Sequence, residues 1–285
     1  MSSSNEQTIE CLGPVVLSDM PIVVQVDTET AISELVDTLD GYRRDYPAIF
    51  IDIQGASNSD HGTISIMQIY DAVEHVAYLM DVSTLGERCF LTPAEHNCTL
   101  KDILENSNVR KAFFDVRNDS KALYTHYGIA LEGIHDVQLM EVATRSHCRE
   151  YVSGLSTCIM RNVTISAEDL FNWINIPRTG LGLGQFSADF DGLLEDFKQR
   201  PLSNGTRRYC PLKFQLLVQL HDYYRSELTP EWKERMVSAT KDRVRQSQSA
   251  GVDDQEIDTG RAPDGWHEIE ACPGEPASFY SGRAS

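Results

Sequence analysis

Basic residues are scarce in this chain: 25 Lys and Arg stand against 43 Asp and Glu, a formal net charge of −18 over 285 residues. Phosphate contacts draw on Lys and Arg, so this balance excludes a protein that coats nucleic acid by bulk electrostatics and leaves only a locally basic groove. No stretch approaches the roughly eighteen consecutive apolar residues of a membrane span. The first twenty residues have neither the basic start nor the apolar centre of an export signal. The seven cysteines (Cys11, Cys89, Cys98, Cys148, Cys158, Cys210, Cys272) are odd in number and never form a C-x-x-C pair. That pattern counts against a disulfide framework or zinc ribbon and fits a reducing compartment. The Gly-rich "TGLGLGQF" lacks G-K-[ST] and follows no apolar strand, which removes a phosphate-cradling P-loop. His147, Cys148 and Cys158 lack zinc-finger spacing, and the two cysteines read as buried thiols. The expectation is an intracellular protein without a membrane segment, nuclear and cytoplasmic residence not being distinguished.

What is present reads as one generous domain with extensions. Residues 1–20 read as a flexible leader, and 248–285, with "GVDDQEIDTG" and "WHEIEACPGEP", as an acidic disordered tail. "PIVVQV" predicts a strand, and "TETAISELVDTL" an N-capped amphipathic helix. "AIFIDI", "GTISIMQIY" and "HVAYLMDV" follow as three β-rich runs separated by turn residues. From Thr99 the pattern alternates: helix in "TLKDILEN", strand in "VRKAFFDV", helix in "NDSKALYTHY", strand in "IHDVQ", helix through "LMEVATR". A meander followed by alternating α and β segments predicts a mixed sheet flanked by helices. Beyond Tyr151 the reading is helical around a Gly-rich loop, with one helix through "RRYCPLKFQLLVQLHDYYRSEL". Thr229 and Pro230 open a last helix over 229–247, so the main body spans 21–228.

The apolar strand "IDIQG" carries Asp52 and Gln54 two residues apart, hence on one face. Spacing alone leaves two readings open, a polar strand end near a turn or part of a reactive cleft. Asp119 enters a helix directly after a strand, where an acid is also favoured by the helix dipole; Leu123 and Tyr127 follow on one helical face.

In combination these stretches resemble the DEDD superfamily of 3′-5′ exonucleases, in the ribonuclease D-like branch whose third motif is Y-x-x-x-D. Asp52 and Gln54 match its first motif, D-x-E. Lys111, Asp119 and Leu123 match the second, "HDVQL" around Asp136 resembles the family's structural D-T-Q segment, and "RPLSNGTRRYCPLKFQLLVQL" ends on the third, with Tyr209 at the tyrosine position. The resemblance spans about residues 22 to 228 and is nearest to filamentous-fungal 3′-5′ exonuclease domain-containing proteins, whose wording "FFDVRNDS-AL" and "DVQLME-ATR" recurs here. It implies an α/β, ribonuclease H-like fold: a mixed sheet of about five main strands, helices on both sides and a helical C-terminal portion. It also implies two Mg²⁺ or Mn²⁺ ions about 4 Å apart, held by four carboxylates, with the tyrosine orienting the nucleophile.

The chain departs from that pattern at two of the four acids. Gln54 stands where Glu is expected, and Lys213 where the final Asp is expected, four residues after Tyr209. The positions Asp52, Gln54, Asp119 and Lys213 then sum to one negative charge. An ammonium ~4 Å from a cation costs several kcal/mol per charge pair at intermediate dielectric, so Asp52 and Asp119 are expected to hold at most one weakly bound ion. Lys213 either takes a metal's place beside Asp52 or Asp119, with a phosphate contact still open to it, or extends to solvent. A rebuilt one-metal site would draw on Asp60, His61 or Asp115. Arg200, Arg207 and Arg208 form either a basic rim or ordinary surface; Lys233, Arg235, Lys241, Arg243 and Arg245 read as a solvated helix face.

Three functions follow as expectations. The first is a degenerate exonuclease-like domain with impaired catalysis that binds a single-stranded RNA or DNA 3′ end, or serves as an interaction module. The second is an active exonuclease with a rearranged metal site, and the third a scaffold for a protein partner.

Overall fold

The computed structural model describes residues 20–42, 46–55, 64–146, 148–163, 197–249 and 260–267. Six strands form one sheet: β1 (Ile22–Val26), β2 (Ile49–Gln54), β3 (Ile66–Asp71), β4 (Val76–Asp81), β5 (Lys111–Phe113) and β6 (Ile134–Asp136), in the order β1-β4-β3-β2-β5-β6. β2, β3 and β4 are an antiparallel meander, β1 joins β4 in parallel, and β2, β5 and β6 run parallel. The helices are α1 (Glu29–Asp40), α2 (Val82–Leu85), α3 (Arg88–Leu91), α4 (Leu100–Glu105), α5 (Arg117–Tyr127), α6 (Val137–Thr144), α7 (Leu155–Asn162), α8 (Asn204–Glu227) and α9 (Pro230–Ser247). This is the expected mixed sheet with helices on both faces.

Alternation along β2 decides which layer meets which face. Ile49, Ile51 and Ile53 point into a core built with α1, α4 and α5, while Phe50 joins Tyr70, Ala77 and Ala112 under α6, α7, α8 and α9. Asp52 and Gln54 share the Phe50 face, so the sheet presents them to the C-terminal helices. Tyr70 stacks on Phe214 of α8, rings 5.8 Å apart, which lays α8 across that face.

Local signals account for the ends of the elements. The Thr28 hydroxyl accepts from Ala31 N at 3.2 Å to start α1, and Thr99 with Asp102 forms a capping box on α4. Thr229 caps α9 with Pro230 in its first turn.

Three expectations need correction. Arg243 does not lie on a solvated face: it is buried, because the Met236–Thr240–Arg243–Val244 stripe of α9 packs into the molecule. The tail reading over 248–285 does not extend to Gly260–His267. There Val152 N donates to Gly260 O at 2.9 Å, Ala262 N to Glu150 O at 3.0 Å, and Trp266 is buried against Trp232, rings 5.2 Å apart; an indole hidden from water is the driving term. Among the cysteines, Cys89, Cys98, Cys158 and Cys210 are not disulfide-bonded and Cys158 is buried as expected, but Cys148 is disulfide-bonded.

Candidate active site

The site grows from three elements. β2 supplies Asp52, half-buried, and Gln54, buried; α8 lies over them with Cys210 and Lys213 turned inward. The Lys213 ammonium Nζ stands 2.6 Å from Asp52 Oδ1, and Lys213 is only 4% exposed. Gln54 Nε2 donates to the other oxygen, Oδ2. Asp52 is therefore engaged on both oxygens, by an ammonium and by an amide N–H.

Asp119 arrives from the opposite side, on the first turn of α5. The turn into α5 is unusual: Asp115 has φ +61°, a left-handed conformation that costs free energy for a residue with a Cβ. Asp136 holds it. Its carboxylate accepts from Asp115 N at 3.0 Å, Val116 N at 3.3 Å and Gln138 N at 3.1 Å, and Arg243 Nη1 supplies a cation at 2.7 Å. One buried acid thus fixes the starts of α5 and α6 and ties them to α9. Lys111, fully buried, donates from Nζ to the carbonyls of Ile103, Leu104 and Asn106, each at 2.9 Å, and so satisfies the C-terminal end of α4.

Burial pushes the Asp119 carboxyl well above the usual carboxylate range, and the charge of Asp52 pushes further; Lys213 opposes this, Asp115 adds to it, and the Ile53 N–H opposes it. The direction favours the protonated acid. Asp52, Gln54, Asp119 and Lys213, far apart in the chain, are thus brought together. Tyr209 lies in α8 one turn before Lys213, and the placement of its ring lies outside the described residues.

The donor set does not fit a pair of divalent cations. An ammonium and an amide N–H occupy the oxygens of Asp52, and Asp119 is pushed toward its neutral form. Among the described residues no group of three His, Cys, Asp or Glu is arranged to hold a metal. The substitute acid Asp115 is held by Arg117 through two 2.6 Å contacts, with Arg243 at 3.7 Å. Asp60 and His61 lie outside the described residues.

Two features escaped the sequence reading. Arg200 is neither rim nor loose surface: its Nη2 donates to Asp81 Oδ1 at 2.7 Å and Ser83 Oγ at 2.9 Å, and its Nη1 to Phe197 O at 2.6 Å. Arg207 is likewise turned inward, onto Gln25; the Arg208 side chain lies outside the described residues. Burial raises the Asp81 pKa, but the Arg200 and Ser83 hydrogen bonds and the Arg200 charge outweigh it and hold that carboxyl at about 2. The second feature is Gln68, directly across from Asp52 on β3, fully buried with neither carboxamide atom hydrogen-bonded. A lone polar residue in the apolar run "SIMQIY" was its one signal.

Comparison with known proteins bears on this geometry. Residues 23–156 match the family model described as 3′-5′ exonuclease. That span contains Asp52, Gln54 and Asp119 but not the α8 residues. The mouse piRNA biogenesis protein EXD1 is 29% identical over 123 residues, 41% of this chain, and the match spans only 20% of the mouse protein. Among solved structures, Trypanosoma brucei RNase D complexed with RNA U12 superposes with a TM-score of 0.64 at 20% identity, covering 87% of this chain and 78% of that one. The catalytic core of Trypanosoma brucei RRP6 does so with a TM-score of 0.52 at 16% identity, covering 82% and 54%. Identities this low speak to the fold, and the fold reaches α8, beyond the matched segment. Residues 23–156 are therefore similar to 3′-5′ exonuclease domains, and the chain adopts an RNase D-like fold.

Proposed function

We propose that this exonuclease-like domain binds single-stranded RNA without efficient two-metal hydrolysis. The observation that carries this reading is the 2.6 Å ion pair between Lys213 and Asp52. A cation built into the chain neutralises the carboxylate that would face a metal, and Gln54 contributes no charge in its support. Charge of the same sign at this range repels a divalent ion by several kcal/mol at intermediate dielectric. RNA rather than DNA is the proposed class because the matched relatives carry RNA in their names: a piRNA biogenesis protein and an RNase D solved with U12.

Lys213 and Gln54 act as structural partners of Asp52, and the strand is held by backbone and stacking contacts around the cleft. The test is a double substitution, Gln54→Glu with Lys213→Asp, assayed on an end-labelled oligoribonucleotide with Mn²⁺ or Mg²⁺. The unmodified chain is expected to bind and leave the strand intact, and the double variant to gain metal-dependent trimming. Equal trimming by both proteins overturns the proposal, and so does an unmodified chain with no affinity for the strand.

A further inference from the structure

Four of the seven cysteines, Cys89, Cys98, Cys158 and Cys210, are not disulfide-bonded, whereas Cys148 is. Its partner is therefore Cys11 or Cys272, both outside the described residues. What surrounds Cys148 chooses between them. Cys148 is half-buried between α6 and α7, and just beyond it a segment from the C-terminal side returns to the chain. Tyr151 and Arg261 form an antiparallel bridge, flanked by the hydrogen bonds from Val152 N to Gly260 O and from Ala262 N to Glu150 O. Antiparallel pairing carries the returning segment from Val152 back toward Cys148. A turn follows, with Trp266 N donating to Pro263 O at 3.2 Å and Gly265 at φ +77°, and it sets Trp266 against Trp232 of α9. Arg149, the residue after Cys148, lies over the same Trp232 ring, its Cζ 4.2 Å from the centroid. The neighbour of Cys148 and the end of the returning segment thus meet on one indole.

Chain length then separates the two candidates. Cys272 comes five residues after His267, and five residues span up to ~17 Å, starting beside Arg149. Cys11 comes nine residues before Met20, which leads into β1, the sheet edge opposite β6. Five strand spacings separate those edges, about 24 Å, and α9, which carries Trp232, packs on the β6 side. Nine residues reach ~31 Å only when fully extended, so Cys11 would have to run nearly straight across the sheet.

We propose that Cys148 and Cys272 form a redox-modification site, a disulfide that fastens residues 260–267 as a strap across the α6–α7 connection and the first turn of α9. The inference is independent of the RNA-binding reading. With the bridge open, the strap is tethered on one side only, through residues 250–259, and its docking rests on the Trp266 indole and the backbone bonds to Glu150 and Val152. With the bridge closed it is tethered on both sides, which raises its effective concentration at the docking surface. Opening consumes one dithiol. Its thiolate attacks one sulfur of the pair, the S–S bond breaks, and its second thiol displaces the mixed disulfide; two electrons and two protons pass to Cys148 and Cys272, and the reductant leaves as a cyclic disulfide. The half-buried position of Cys148 admits such a reagent. Burial pushes the thiols of Cys89, Cys158 and Cys210 up, so they stay protonated and attack the bridge poorly.

The experiment uses the full chain, purified in air without reductant. Thiols are alkylated, the protein is digested with trypsin without reduction, and mass spectrometry is expected to find the peptide ending at Arg149 joined to the one beginning at Ala262. Limited trypsinolysis of the native protein then reads the strap. Arg261 has an exposed side chain but a backbone paired with Tyr151, so cleavage after it waits for undocking. Aliquots are fully reduced only after quenching. Dithiothreitol is expected to speed cleavage after Arg261 by about tenfold or more, and cleavage after Arg88, in α3, to stay unchanged. Cys272→Ser should show the fast rate with or without dithiothreitol, and Cys11→Ser the slow rate and the full response of the unmodified chain. A joined peptide that contains Cys11, or no joined peptide, overturns the pairing. A bridge whose reduction leaves the rate at Arg261 unmoved overturns the fastening, and so does equal acceleration at Arg88, which marks global rather than local opening.

Discussion

Asp136 and Asp52 both end up beneath the C-terminal helices, each facing a cation delivered by one of them, Arg243 from α9 and Lys213 from α8. Their surroundings are completed to different degrees. Asp136 accepts three backbone N–H groups and a guanidinium, and Arg243 in turn donates to Gln138 Oε1 at 3.0 Å. Every strong group in that node is matched. Around Asp52 the ammonium and the Gln54 amide are matched, but Asp119 is pushed toward protonation and Gln68 keeps a bare carboxamide. The first arrangement reads as a structural joint. At the second, an ammonium and an amide quench the carboxylate without completing the hydrogen bonding around it.

The sharpest test of that contrast is Asp136→Ala. It would strand three N–H donors and a buried Arg243, and a loss of about 4 kcal/mol or more in urea unfolding is expected. A loss below about 1 kcal/mol would make the two nodes equivalent and remove the distinction.

The Asp52 node should break differently. Asp52→Ala removes the carboxylate that faces the buried Lys213 ammonium, at a cost of about 3 kcal/mol. Because a buried pair gains little over a well-packed apolar replacement, adding Lys213→Met should return most of that loss. A double-mutant cycle in urea checks this. If the double variant is as unstable as the single one, the ion pair is a structural joint like that of Asp136.

A smaller effect comes from pH. The folded Asp81 carboxyl is depressed from 3.8 to about 2. A depressed acid stabilises the folded state above its unfolded pKa and loses that contribution as pH falls through the folded value. Some 2 kcal/mol should therefore disappear between about pH 4 and pH 2. Arg200→Gln should flatten that slope without altering the strand-trimming assay, since Arg200 faces Asp81 rather than the Asp52 cleft.

How far these regions were legible in the sequence follows from what each depends on. The alternation Ile49, Ile51, Ile53 against Phe50, Asp52, Gln54 is a two-residue period, so the face of β2 that carries the site could be read directly. Caps at Thr28, Thr99 and Thr229 act within three residues and were equally readable. The meeting of Lys213 with Asp52 needs α8 laid across the sheet, which no local pattern encodes; resemblance to the ribonuclease D-like branch supplied it. Arg243 misled because charged residues interleave on α9, and its partner Asp136 sits on a distant strand end. Arg200 misled in the same way, since its acid, Asp81, closes β4.

Gln68 carries the smallest prediction and the one that separates the nodes most finely. Its position opposite Asp52 depends on the β2–β3 register, and the residues between those strands, 56–63, lie outside the described set. A buried amide with no partner gives up hydration on folding without replacement, whereas methionine of nearly the same shape gives up none. Gln68→Met should accordingly raise stability by about 1 kcal/mol in urea unfolding, where the corresponding polar-to-apolar change at Gln138, a hydrogen-bonded member of the Asp136 node, should lower it. A destabilised Gln68→Met variant would mean that the amide is satisfied in solution and that the cleft is as completely paired as the joint beside it.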